Sequence, residues 1–208
     1  MILIGQYDSP FVRRVGIALV LYGLPFEHRP WSTFADADKI RPYNPLTRVP
    51  TLVLDDGDVL LDSPSILDYL DGRVPTERAL LPSAEPARHR GLAVAALATG
   101  LADKAVSLFY EKRLHDTVSE AWVARCRQQV AGALAALESD RAARSGPYWF
   151  GERIGHADIA VACALRFAAE ALPGLVSLGD APALAAHAQR CEALPAFQQI
   201  QQTFIPPA

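Results

Sequence analysis

Apolar positions along this chain follow different periods in its two halves. Residues 1–7 open with the short apolar run Ile2-Leu-Ile4, which suits a strand buried on both faces. Phe11, Val15, Ala18, Leu19 and Tyr22 then fall on one helical face, and Gly23 stands where a C-cap is expected. Pro25-Phe26-Glu27-His28 reads as a second strand, which makes the opening a β-α-β unit with a right-handed crossover. Residues 32–46 lack periodicity and carry Pro42 and Pro45, with one short helix expected near 36–41. Thr51-Leu-Val-Leu54 and Val59-Leu-Leu61 flank Asp55-Asp-Gly-Asp58 as the arms of a hairpin. A third helix is expected over 63–72, with Ser63 as its N-cap and Pro64 at its first position. This order predicts a small α/β unit with a mixed four-stranded sheet.

The pattern changes after residue 75. Pro75, Pro82 and Pro86 punctuate a stretch without apolar period, and the linker is placed at residues 76–85 between units 1–75 and 86–208. The second unit is Ala- and Leu-rich, with three- and four-residue steps that predict an all-helical bundle. Trp122, Cys126, Val130, Ala133 and Leu137 form one such series, and Ile159, Cys163, Phe167 and Ala171 another. The helix through Leu92 and Tyr110 carries two apolar stripes: Leu92, Ala96 and Val106, then Leu97, Leu101 and Leu108. Two stripes imply either a central helix or a partner chain.

Half of the 208 residues are hydrophobic and 21% are charged, the balance of a chain with a packed core. A net charge of −3 with scattered basic residues leaves no electrostatic footprint for nucleic acid. No continuous apolar run approaches the length that spans a bilayer, and no signal peptide is read at the start. Cys126, Cys163 and Cys191 are odd in number and far apart, so reduced thiols in a cytoplasmic protein are expected. The five histidines show no ligand spacing, and no metal site is expected.

Three short strings carry candidate chemistry. Ser9-Pro10 follows the first strand, where Ser suits an N-cap and Pro the first helical position. As a cap alone Ser9 needs no further role. The same geometry also aims a hydroxyl and free amides at a cleft that favours negative charge. Asp62-Ser63-Pro64 repeats the arrangement with a carboxylate added, a pocket of both signs that matches the zwitterionic end of an amino acid. In Asn44-Pro-Leu-Thr-Arg-Val-Pro50, a cis bond before Pro50 would turn the Val49 main chain outward for pairing with an extended peptide. Each string also has a plain structural reading as a cap or a loop.

Together these strings resemble the glutathione transferase superfamily, in particular its serine-type and bacterial members. The likeness rests on Ser9-Pro-Phe-Val-Arg-Arg-Val, Asn44-Pro-Leu-Thr-Arg-Val-Pro50, Asp62-Ser63, Leu80-Leu-Pro82 and Gly155-His-Ala-Asp158, in order along essentially the whole chain. It implies a thioredoxin-like first unit and a helical second unit, glutathione as co-substrate, a small electrophile, and a homodimer. By this resemblance Ser9 hydrogen-bonds the glutathione sulfur, with Tyr7 as the rival hydroxyl. Val49, before Pro50, pairs with the cysteinyl backbone, while Asp62 and Ser63 hold the γ-glutamyl end. Phe11 lines the cleft and Arg48 reaches a glutathione carboxylate. Candidates for the electrophile pocket are Trp31, Phe34, Asp103, Ser107 and Tyr110. Two departures stand out: Asp62 where most relatives have Glu, and Gly155 where the helix cap is usually Ser or Thr. Isomerisation or dehalogenation on the same site, and a non-catalytic binding role, remain as alternatives.

Overall fold

The computed structural model describes residues 1–206. Strands β1 (Ile2–Ile4), β2 (Glu27–Arg29), β3 (Thr51–Val53) and β4 (Val59–Leu61) form one sheet in the order β2-β1-β3-β4. β1 runs parallel to β2 and antiparallel to β3, and β3 pairs antiparallel with β4. Helices α1 (Pro10–Tyr22), α2 (Ala37–Ile40) and α3 (Ser63–Asp71) accompany the sheet. The remainder is helical: α4 (Ala87–Leu114), α5 (Glu120–Ala142), α6 (His156–Ala171), α7 (Pro182–Glu192) and α8 (Pro195–Gln199). The expected thioredoxin-like mixed sheet followed by a helical bundle is the observed architecture.

Local chemistry explains the ends of α1. Ser9 has extended backbone angles and its Oγ accepts the Val12 N–H at 3.4 Å, with Pro10 at the first helical position. Gly23 adopts φ 67°, and the N–H groups of Gly23 and Leu24 close on the carbonyls of Val20 and Leu19. The start of α3 differs from expectation. Asp62, not Ser63, is the N-cap, and its Oδ1 accepts the Ser63 N–H at 2.8 Å. The backbone of Asp62 lies at φ 68° and ψ 138°.

One apolar cluster spans both halves, joining Leu3, Val12 and Leu19 to Ile159, Cys163 and Phe197. Its polar border is a buried network. Tyr22 donates to Asp71 Oδ1, the Leu80 N–H reaches Tyr22 Oη at 3.0 Å, and His156 Nε2–H donates to Asp71 Oδ1 at 3.0 Å. The Arg13-Arg14 pair is buried rather than displayed. Arg13 meets Glu192 through both terminal nitrogens and donates to the carbonyls of Phe197 and Ile200.

The glycine at 155 has a steric cause. A Cβ there would lie 2.7 Å from the Leu80 carbonyl oxygen, which accepts the His156 N–H at 3.0 Å. Asp158 Oδ2 caps the Gly155 N–H at 2.8 Å and Oδ1 takes the Trp149 N–H at 2.8 Å. Helix α4 is long and apolar enough to cross a membrane by length and composition, although no continuous apolar run showed it. Here it packs on α5 and α6 through Ala98, Leu101, Ala105 and Leu108. Its other side is open: Leu92 is 44% exposed and Leu97 38%, so the two stripes are not both internal.

Candidate functional site

Sheet register gathers the site at one end. Thr51 pairs with Ile4 on one side and with Leu61 on the other. The chain leaving β1 toward Ser9, the chain entering β3 through Val49, and the chain leaving β4 at Asp62 therefore emerge together. Residues 53 positions apart in sequence, Ser9 and Asp62, are brought to one end by the three strands β1, β3 and β4.

A cavity of about 1070 Å³ opens at this place, between the α/β half and helices α4 and α6. Ser9, Phe11, Arg48 and Val49 line it, as do Trp31, Phe34, Asp103, Ser107 and Tyr110. Asp62 and Ser63 lie outside its lining at the N-terminus of α3, and Pro50 is buried and also outside the lining. Ser9 accepts one hydrogen bond, so its own O–H stays available to donate into the cavity.

Tyr7 does not line the cavity. Its ring stacks on His28 with centroids 3.8 Å apart at 10°, and burial raises its hydroxyl to about 12. His28 in turn donates from Nε2 to the Gly5 carbonyl at 2.8 Å. These contacts brace the turn between β1 and α1, which is a packing role.

The Val49–Pro50 bond is cis, and the Val49 N–H and C=O take no hydrogen bond among the described residues. Asn44 organises the loop before it. Its Nδ2 donates to the Arg48 carbonyl at 2.8 Å and to Thr51 Oγ1 at 3.1 Å, and its Oδ1 takes the Leu46 N–H at 3.0 Å. A buried amide with its bonds made in this way holds Arg48 and Val49 against the cavity.

At the α3 N-terminus, Asp62 is exposed and its second carboxylate oxygen is unengaged among the described residues. Its φ of 68° is strained for a residue with a side chain, of order 1–3 kcal/mol, as is found where a site is held in place. The Ser63 hydroxyl is fully buried without a hydrogen-bond partner. An unmade bond of this kind costs about 1–3 kcal/mol unless a ligand supplies the acceptor.

Sequence reasoning missed several parts of the cavity, Phe109 of α4 and Phe167 of α6 among them. Asp8, one residue before the cap, lines it, and so do Phe204, Ile205 and Pro206. Asp8 carried no motif. Residues 201–206 have neither period nor regular structure, so no local signal placed them.

A thioredoxin-type mixed sheet, a serine-capped helix facing a cleft and a helical bundle beside it make up the fold and its cavity. The chain belongs to the glutathione S-transferase family. Residues 3–78 match the family model for the glutathione S-transferase N-terminal domain, and residues 120–190 that for the C-terminal domain. A maleylacetoacetate isomerase of Pseudomonas aeruginosa is 33% identical over 209 residues, covering 96% of this chain and 94% of that protein. A glutathione S-transferase of Methylobacterium radiotolerans, solved with glutathione sulfonate, superposes with a TM-score of 0.90 at 30% identity, covering 100% and 98% of the two chains. A glutathione transferase family member of Pseudomonas fluorescens with bound glutathione gives 0.82 at 32% identity, covering 100% and 99%.

Proposed function

We propose that this chain is a glutathione transferase in which Ser9 holds the bound thiol as thiolate for attack on a small electrophile. The observation that carries the reading is the Ser9 hydroxyl at the start of α1, lining the cavity with its proton unspent. A free thiol near pKa 8.5 is mostly protonated at neutral pH. Lowering it by about two units corresponds to ~2.7 kcal/mol. A hydroxyl bond to a charged acceptor supplies about 1.5–3 kcal/mol, and a helix N-terminus about 0.3–1. Ser9 and α1 together suffice, with the serine acting as donor and never ionising.

The rest of the tripeptide has matching groups. The open main chain of Val49, set by cis Pro50, pairs with the cysteinyl residue, and Arg48 reaches a carboxylate. Asp62 holds the ammonium and the Ser63 hydroxyl, with the amides of α3, the carboxylate of the γ-glutamyl end. Phe11 borders the sulfur. In this reading residues 1–75 bind glutathione, and α4 in unit 86–208, beyond the 76–85 linker, shares the electrophile's wall with residues 31–36. The exposed leucines of α4 suit a homodimer, and three buried free thiols suit a reducing, cytoplasmic setting.

Glutathione-dependent isomerisation on the same site is the second reading, supported by the isomerase named among the relatives. Of the acidic residues lining the cavity, Asp36 pairs with Lys39 and Asp103 with Lys104, which leaves Asp8 and the cation Arg48 as the lining's unpaired opposite charges among the described residues. Titrating thiolate absorbance of glutathione bound to the wild-type protein tests the proposal. An apparent thiol pKa about two units below the free value is expected; an unshifted thiol overturns it.

A further inference from the structure

The segment 201–206 lines the cavity through Phe204, Ile205 and Pro206 and is a strap stitched to both halves of the chain. The Tyr7 N–H donates to Gln202 Oε1 at 3.2 Å. Glu170 Oε2 on α6 accepts the Phe204 N–H at 3.0 Å, and Asp8 Oδ2 accepts the Ile205 N–H at 3.0 Å. Two carboxylates from opposite halves of the molecule thus grip consecutive amides of an otherwise irregular segment. Bonds to charged acceptors are about twice as strong as neutral ones, which is why a segment without helix or strand keeps one place.

The grip sets one ring. Phe204 packs edge-on against Phe109, with centroids 5.0 Å apart at 87°, and against Phe167 at 5.7 Å and 81°. Phe109 meets Tyr110 at 5.9 Å, and Tyr110 meets Phe34 at 5.5 Å. An unbroken chain of ring contacts therefore runs from the loop after β2 through α4 and the strap to α6. Every ring in it lines the same cavity as Ser9. Offset and edge-on packing is the arrangement that aromatic partners favour, so a flat ring entering this girdle meets ring edges and faces.

We infer that Phe204, positioned by Asp8 and Glu170, is a specificity-determining residue that selects flat aromatic electrophiles beside the glutathione sulfur. The inference rests on the glutathione reading above and extends it to a residue outside the glutathione contacts. Phe204 acts on the group attached to sulfur and leaves the tripeptide contacts at Val49, Asp62 and Ser63 untouched.

The test is calorimetric binding of S-benzylglutathione and S-methylglutathione to the wild-type protein and to Phe204→Ala. The wild type should prefer the benzyl conjugate, and Phe204→Ala should reduce that preference about five- to tenfold while S-methylglutathione affinity stays within about twofold. An unchanged benzyl-to-methyl ratio in Phe204→Ala overturns the inference and leaves the glutathione reading standing. Failure of the wild type to bind S-methylglutathione overturns both. Should Phe204→Ala not fold, Phe204→Leu keeps apolar bulk without the ring. A reduced ratio in that variant supports the inference, and an unchanged one overturns it.

Discussion

A Cβ placed on Gly5 would lie 2.8 Å from the Cβ of Val49 and 2.5 Å from Cγ2 of Val12. The end of β1 and the loop proposed to pair with glutathione touch with no room for a side chain. Gly5 also has φ 129°, which disfavours any L residue. Gly5→Ala should therefore cost about 1–3 kcal/mol of stability and weaken glutathione binding together. Denaturant unfolding with calorimetry checks both, and unaltered affinity would separate Gly5 from the site.

Ser9→Ala should raise the bound thiol's pKa by about one to two units while glutathione affinity stays within a few-fold. The hydroxyl favours the ionised sulfur, whereas Val49, Asp62 and Ser63 supply the binding. Loss of the cap should also lower stability by ~1 kcal/mol. A bound thiol that titrates as in the wild type would remove Ser9 from the mechanism.

Asp62→Asn should weaken glutathione more than a ligand lacking the γ-glutamyl amine. The amide still caps the Ser63 N–H, but the charge-assisted bond to an ammonium is lost. Calorimetry with both ligands reads the difference; equal losses would make Asp62 purely structural.

His187 is fully buried, with its ring edge-on to Trp149 at 5.0 Å and Nε2 at 3.7 Å from Asp158 Oδ1. Burial lowers its pKa to about 4 from an ordinary 6.5, while burial raises Asp158 to about 6. A depressed histidine binds fewer protons folded than unfolded. Its contribution is complete above about pH 6.5 and is lost as pH falls toward about 4, on the order of 3 kcal/mol in all. Asp158 has the opposite sign over much of the same range, because its folded form retains a proton that the unfolded chain releases. His187→Gln should thus be less stable relative to wild type at about pH 7 than at about pH 5. Unfolding midpoints at the two values check the sign, and a pH-independent difference would count against it.

The open face of α4 leads to an assembly prediction. Leu92 and Leu97 remain 44% and 38% exposed on a helix whose opposite face is packed. A two-fold dimer should appear in sedimentation equilibrium at micromolar concentration, and Leu97→Glu should shift it toward single chains. A wild-type species at the mass of one chain would refute the dimer.

Much of the framework was legible because it depends on neighbours in sequence. The apolar run at Ile2–Ile4, the Ser9-Pro10 start and Gly23 end of α1, and the hairpin around Asp55-Asp-Gly-Asp58 are set by local propensity and short-range hydrogen bonds. The Asp158 cap was legible for the same reason, since its partner Gly155 lies three residues away. Asp62 and Ser63 were recognised as a pair, but which of them caps α3 turned on a single backbone angle that composition does not encode.

Tertiary packing alone decided the rest. The Ser9-Pro10 cap favours Ser9 locally, but the packing of Tyr7 on His28 comes only with the neighbouring strand. Nothing near Gly155 predicts that the Leu80 carbonyl fills the space of its missing Cβ. Phe204 and Ile205 reach the cavity only because Asp8 and Glu170, distant in sequence, converge to hold their amides. Hydrogen bonds between residues close in the chain leave a periodic trace in the sequence. Contacts between residues distant in the chain leave none, because they exist only once the chain has packed.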